Sequence, residues 1–315
     1  MRIMITGGTG MIGRVLIRSL LADGYQVWVL TRNPQAARLP EGAQAVKWDG
    51  RTTTGWGELV SRVDGIVNLA GENLGAGSWT VARKQRILDS RVQAGQAVTE
   101  AIRAASPPPK VLVQASAIGY YGPRDFQPVS EESEPGTGFQ AQVCQQWEAS
   151  TQAVEELGVR RAVIRTSVVL SAGEGALPRI LLPFKLFAGG PLGNGRQGFS
   201  WIHPTDEINA IRFLLENENA QGVFNLSAPQ PLSNVDFGRI IAKVMRRPYW
   251  LPAPAFALRL LLGEMSTLVL DGQFVLPKRL LELGFRFRFD RAEEALSDLL
   301  RAPAGYCVEG SDFTV

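Results

Sequence analysis

The chain has 315 residues, 45% of them hydrophobic and 20% charged, with a formal net charge of +3. This is an ordinary globular balance, large enough for one large or two smaller domains, and it carries no basic stripe interleaved with aromatics, so nucleic acid is not an expected partner. Two cysteines, Cys144 and Cys307, cannot make a disulfide framework, and one histidine with no Cys/His cluster gives no metal site.

The first fourteen residues read MRIMITGGTGMIGR. Ile3–Ile5 form a short apolar run inside a strand predicted over 2–6, and Met11, Ile12, Val15, Leu16, Leu20 and Leu21 recur at helical spacing. Gly7, Gly10 and Gly13 therefore fall on a strand-to-helix turn. There, missing side chains let a pyrophosphate approach the backbone, and the helix N-terminus offers free N–H groups and partial positive charge. The glycine pattern alone is weak, but a strand before it, a helix after it and a second strand ending near Leu30 make it specific. The apolar run is broken by glycines at once, so it does not read as a signal peptide, and a reducing, cytoplasmic location is expected.

The second strand, 26–31, runs QVWVLT into Arg32. At this place in dinucleotide folds an acidic residue selects NAD through the ribose 2′-hydroxyl, and an arginine pairs with a 2′-phosphate. Thr31 and Arg32 stand there instead of Asp or Glu. The expected cofactor is NADP(H).

Further strands are predicted at 45–48, 65–69, 110–116, 162–169 and 223–226, with helical patterns at 13–22, 82–104 and 141–157. The alternation predicts an α/β fold, a Rossmann-type doubly wound parallel sheet, with a smaller, mainly helical C-terminal lobe. The expected domains are 1–170 plus 200–228 for NAD(P) binding, 171–199 plus 229–300 for the lobe, and 301–315 as a tail. The apolar stretch around 255–270 contains Arg259 and Glu264 and is too short to span a bilayer; it reads as a core helix, and no membrane partner is expected.

Four motifs, TGGTGMIG at 6–13, NLAG at 68–71, ASAIGYYG at 115–122 and RTSVVLS at 165–171, resemble the extended short-chain dehydrogenase/reductase superfamily. NLAGEN, SAIGYYG, WEA, GGPLGNGRQ, WIHPTD and LPKRLLELGF resemble an atypical, epimerase-like family within it. That family carries an added C-terminal domain of unknown function and was formerly labelled cell-division-inhibitor-like. The resemblance implies that Gly7, Gly10, Met11 and Ile12 line the pyrophosphate and that Thr31 and Arg32 meet the 2′-phosphate. Leu69, Ala70 and Gly71 would pass beside the riboses, Arg91 and Arg86 would reach toward the cofactor, and Val169 would lie near the nicotinamide. Many members of the superfamily pair through the helices matching 82–104 and 141–157, which makes a homodimer a candidate assembly.

The superfamily's chemistry rests on Ser, Tyr and Lys, the last two spaced Tyr-x-x-x-Lys on one helical face, where the lysine lowers the tyrosine pKa. None of the five tyrosines here has a lysine four residues later. The expected positions hold Val143 with Trp147, or Cys144 with Glu148, depending on register. Ser116 remains at the end of the fifth strand, with Tyr120 and Tyr121 following. Either tyrosine is a candidate proton donor with Ser116, or both wall the pocket. His203 and Arg196 are candidate contacts to a small-molecule substrate. The leading function is an NADP(H)-dependent oxidoreductase or epimerase; the rival is a non-catalytic NADP(H)-binding sensor.

Overall fold

A computed structural model describes residues 1–124 and 126–301; the expected tail, Arg301 apart, lies outside the described residues. Seven parallel strands form the central sheet: β1 (Arg2–Thr6), β2 (Gln26–Thr31), β3 (Gln44–Lys47), β4 (Gly65–Asn68), β5 (Val111–Ala117), β6 (Arg160–Thr166) and β7 (Gly222–Leu226). Their order is β7-β6-β5-β4-β1-β2-β3. Ile3 sits opposite Val27 on one side and Gly65 on the other. The build direction reverses between β1 and β4. In open α/β sheets ligands bind outside the carboxyl ends of the strands at such a switch point.

The helices are α1 (Met11–Ala22), α2 (Val81–Ala104), α3 (Phe139–Ala149), α4 (Leu177–Lys185), α5 (Pro204–Glu216), α6 (Asn234–Met245), α7 (Ala255–Leu262), α8 (Thr267–Leu270), α9 (Lys278–Glu282) and α10 (Ala292–Arg301). Strand alternation sorts the core into two layers. Ile3 and Ile5 of β1 pack with Leu16, Ile17 and Leu20 of α1 and with Ile208 and Ile211 of α5. Met4, between them, packs on the opposite face with Ala94, Val98 and Ile102 of α2. A third cluster joins Leu177, Leu181 and Phe184 of α4 to Phe237 and Ile241 of α6 and Leu296 of α10.

Three departures from the predicted elements have physical causes. The strand expected over 162–169 ends at Thr166, and Val168–Val169 pairs instead with Trp201–Ile202 in a separate two-stranded ladder. The helix expected over 141–157 stops at Ala149, where the Ser150 hydroxyl donates to the Trp147 carbonyl at 2.6 Å and the chain tightens into a 3-10 turn over Gln152–Leu157. The stretch read as a core helix does not enter the core: α7 has no buried residue. No described helix is long and apolar enough to cross a membrane.

Candidate functional site

The turn between β1 and α1 is shaped by what its glycines leave out. Gly7 has φ +66°, and a Cβ there would stand 2.6 Å from the Leu69 carbonyl oxygen. A Cβ on Gly13 would stand 2.6 Å from the Gly7 oxygen. Only glycine allows the β1 turn, the loop after β4 and α1 to approach this closely. Gly10 caps α1 with no side-chain hydrogen bond, and no acidic residue occupies the first turn. Met11 and Ile12 open this uncapped N-terminus, which carries the partial positive charge and free donors suited to a diphosphate.

Buried polar side chains tie the cradle together. Thr6 Oγ1 donates to Asn68 Oδ1 at 2.5 Å, and Asn68 Nδ2 donates to Gln114 Oε1 at 2.8 Å. Thr6 Oγ1 also accepts from the Ala70 amide at 3.1 Å. The three residues lie on β1, β4 and β5, each fully buried, so the network locks the carboxyl ends of neighbouring strands beneath Leu69, Ala70 and Gly71. The sequence reading missed it, although its signal was present: a polar residue stands late in each of three apolar strands.

At the end of β2, Thr31 is half-buried and Arg32 is exposed. Among the described residues Arg32 forms no ion pair. Arg91 is placed differently from a cofactor-reaching cation. Its side chain is buried, donates to the carbonyls of Glu72 and Ile87 at 3.0 Å each, and lies over Trp147. Burial lowers its pKa. It supports the loop from below, since a Cβ on Gly71 would meet its guanidinium at 3.0 Å. Arg86 is exposed and lies 3.5 Å from Glu72. Val169 is buried in the bridge with Ile202.

Ser116 leads to a compact charged group. Its hydroxyl donates to Glu148 Oε1 at 2.6 Å. Arg165 grips Glu148 with two bonds of 2.9 Å and donates to the Tyr121 hydroxyl at 3.1 Å. Tyr121 in turn donates to Asn225 Oδ1 at 2.7 Å. Burial disfavours the charge on Arg165, but the hydrogen bonds and charge of Glu148 outweigh it and raise its pKa. The register on α3 is thereby resolved: Glu148 faces Ser116, and one turn earlier Cys144 donates to the Ala117 carbonyl at 3.5 Å. Burial, then Glu148, pushes the Cys144 thiol up to about 11. It packs as a small hydrophobe.

Several expected site residues are corrected by their surroundings. Tyr121 is fully buried and committed to Asn225, and burial first of all pushes its pKa up to about 12, which removes it as a donor to substrate. Tyr120 is half-buried, its ring centroid 3.3 Å from the Arg165 guanidinium, in the cluster with Val129 and Val275. It walls the charged group. His203 is a buried N-cap of α5, its Nδ1 accepting from the Thr205 amide at 3.1 Å, and it lines a cavity of about 840 Å3 with Met11, Ile12 and Val169. Burial, then Arg288, lowers its pKa to about 3 despite Asp298 Oδ2 at 3.3 Å from Nε2. Arg196 is exposed beside Phe126 and Asp236, outside the apolar-walled cleft that follows β5.

That cleft, about 480 Å3, lies between the loop after β5 and the C-terminal lobe. Its walls are largely apolar, with Trp79, Ile118, Phe139, Val168 and Phe199 among them, and Gln140 and Gln273 supply polar groups. Lys84 and Glu264 pair at 2.8 Å on its lining. Ile118 and Gly119, two and three residues after Ser116, line it, while Ser116 and Glu148 themselves do not. Neither tyrosine lines it.

Comparison with known proteins agrees with this geometry. Residues 3–227 match the NAD dependent epimerase/dehydratase family, and residues 253–299 match a domain of unknown function, DUF1731. An epimerase family protein of Staphylococcus aureus (strain N315) is 40% identical over 300 residues, 95% of this chain and 98% of that protein. The epimerase family protein YfhF of Bacillus subtilis (strain 168) is 40% identical over 301 residues, with the same two coverages. The crystal structure of human epimerase family protein SDR39U1 (isoform 2) with NADPH superposes with a TM-score of 0.85 at 31% identity, covering 96% of this chain and 99% of that one. The cradle whose glycines leave no room for a Cβ, the uncapped α1 and Arg32, without an ion pair among the described residues, fit the nicotinamide cofactor that such a fold holds. The chain belongs to the NAD dependent epimerase/dehydratase family, as an atypical extended short-chain dehydrogenase/reductase with an added C-terminal domain.

Proposed function

We propose that this chain is an NADP(H)-dependent oxidoreductase or epimerase-type enzyme whose proton chemistry runs through Ser116 and Glu148. The observation that carries the reading is the 2.6 Å bond from Ser116 Oγ to Glu148 Oε1 near the carboxyl end of β5, just before the Ile118–Gly119 segment that lines the apolar-walled cleft. Arg32 supports NADP(H) over NAD, since charge-assisted bonds to a 2′-phosphate contribute about 1.5–3 kcal/mol. The NADPH held by the human relative supports the same choice. When bound, the nicotinamide supplies or accepts a hydride at a carbon bearing oxygen.

The chain's residues manage the proton. Ser116 Oγ donates to Glu148 and keeps lone pairs with which to accept from a substrate hydroxyl. As that hydroxyl becomes a carbonyl, its proton passes to Ser116 Oγ while the serine proton passes to the Glu148 carboxylate. The reverse shift protonates a carbonyl under reduction. Arg165 holds the carboxylate in place and compensates its charge. A carboxylate thus takes the role the superfamily gives to a Tyr/Lys pair, and it stands where the lysine would. The sensor reading keeps one supporting observation: the phenol's position is filled by Cys144, buried and with its pKa pushed up to about 11.

The test is a screen of carbonyl compounds and nucleotide sugars for loss of NADPH absorbance, with product analysis to catch epimerisation that returns its hydride. On a substrate so found, Ser116→Ala and Glu148→Gln are each expected to lower kcat about 10²–10⁴-fold while NADPH affinity stays constant. Full turnover in both variants contradicts the relay, and inertness across the screen favours the sensor.

A further inference from the structure

The least explained part of the surface is the apolar face that α7 and its neighbours present to solvent. Phe256, Leu260 and Leu261 of α7 are 74%, 87% and 80% exposed. Trp250 and Leu251, just before the helix, are exposed too, as are Leu182, Leu186 and Phe187 at the end of α4. These segments are joined: the Trp250 indole donates to the Phe187 carbonyl at 2.9 Å, and the Trp250 and Leu251 amides donate to the Gly189 carbonyl. So large a grouping of exposed apolar side chains marks an interaction site.

Charge segregates with this face. Positions 175–199 contain Arg179, Lys185 and Arg196 and no acidic residue. Positions 237–263 contain Arg239, Lys243, Arg246, Arg247 and Arg259 and again no acidic residue. Arg247 lies over the Phe187 ring, 4.4 Å from its centroid. Lys185 and Arg246 are exposed and form no ion pair among the described residues. Arg239 pairs with Asp236 and Lys243 with Glu293, which leaves Lys185, Arg246, Arg247 and Arg259 as the cations beside the protruding leucines and the anchored tryptophan, a combination suited to an anionic interface.

We propose that this face, Leu182–Phe187 with 250–261, docks on an anionic lipid surface and seats α7 in the headgroup region. Charge decides among the occupants. The charged residues within 182–187 and 250–261 are Lys185 and Arg259, so two copies joined by a two-fold axis through this face would oppose like charges. A helical peptide needs a groove, whereas Phe256, Leu260 and Leu261 project outward and line no part of the substrate cleft. Docking here places the cleft beside the bilayer, because Glu264, Thr267 and Leu268, which follow α7, line it. The expectation of no membrane partner is revised for this reason: the stretch is too short to span, but its helix lies on the surface.

The experiment is co-sedimentation of the full chain with phosphatidylcholine vesicles, with and without phosphatidylglycerol. Binding to the anionic vesicles is expected to be at least about tenfold tighter than to the neutral ones and to weaken as salt is raised. The triple variant Phe256→Ser/Leu260→Ser/Leu261→Ser is expected to lose vesicle binding while keeping the parent's urea midpoint and NADPH affinity, since the three side chains are exposed. Lys185→Glu/Arg246→Glu is expected to remove the preference for anionic vesicles. Absence of pelleting with either vesicle overturns the proposal, whether or not the face binds an acidic polypeptide. So does equal binding to both vesicles, or a dimer that the triple variant dissolves.

Discussion

Replacing Arg165 with methionine is expected to destabilise the fold by about 3–5 kcal/mol, because it leaves the Glu148 carboxylate buried without its partner. The side chains of Arg165 and Glu148 are 4% and 12% exposed, and the guanidinium binds both carboxylate oxygens. Arg165 also donates to Tyr121, so its loss loosens the link through Asn225 to the lobe, where Asn225 Nδ2 donates to the Leu276 carbonyl at 3.0 Å. Removing both charges should be far milder. The double variant Arg165→Met/Glu148→Leu leaves no uncompensated ion and is expected to recover most of the lost stability, though not turnover. Equilibrium urea unfolding of the two variants and the parent reads this directly. A single variant as stable as the parent, or a double variant weaker than the single, contradicts the assignment of a buried ion pair.

Alanine at Gly7 is expected to lower NADPH affinity at least tenfold and to cost stability as well. Two effects act together. A residue with a Cβ at φ +66° is strained by about 1–3 kcal/mol. In addition the new Cβ would stand 2.6 Å from the Leu69 carbonyl oxygen, so the β1 turn and the loop after β4 must part. Gly24 separates these effects. It has φ +75° and nothing within 4 Å of a Cβ, so Gly24→Ala carries the strain without the collision. That variant is expected to lose some stability and keep the parent's affinity. NADPH titration by fluorescence on both proteins checks the pair. Unchanged affinity in Gly7→Ala would mean that the close approach of the two loops does not shape the cofactor cradle.

The fold was legible because its signals are local. Apolar runs at β1, β2 and β4 alternate with helical spacing in α1 and α2, and the glycines between β1 and α1 have no side chains to hide the turn. The site was legible only where function demands a backbone shape or a lone charge, as at Gly7, Gly13 and Arg32. It was not legible where a role depends on what lies across the fold. Tyr121 reads as a free phenol until Asn225, more than a hundred residues later, occupies its hydroxyl. His203 reads as a substrate contact, and the sequence does not show that it also caps α5. Glu148 reads only as one of two registers for the missing Tyr/Lys pair, because its partners lie on other elements, Ser116 on β5 and Arg165 on β6. Glu131 gives no sign in the sequence that it accepts from the Asn225 amide at 2.9 Å. The apolar face of α7 misled in the opposite sense. Its composition is that of a core helix, and only packing reveals that none of its residues is buried among the described residues.

The most direct measurement is a paired titration of NADPH and NADH on the parent chain and on Arg32→Ala. On the parent, NADPH should bind about 10–100-fold more tightly than NADH, the ratio expected from one or two charge-assisted bonds to the 2′-phosphate. Arg32→Ala should bring NADPH down to the level of NADH and leave NADH unchanged. Equal dissociation constants for the two nucleotides on the parent chain would contradict NADP(H) as the cofactor, and failure to bind either would contradict the cradle itself.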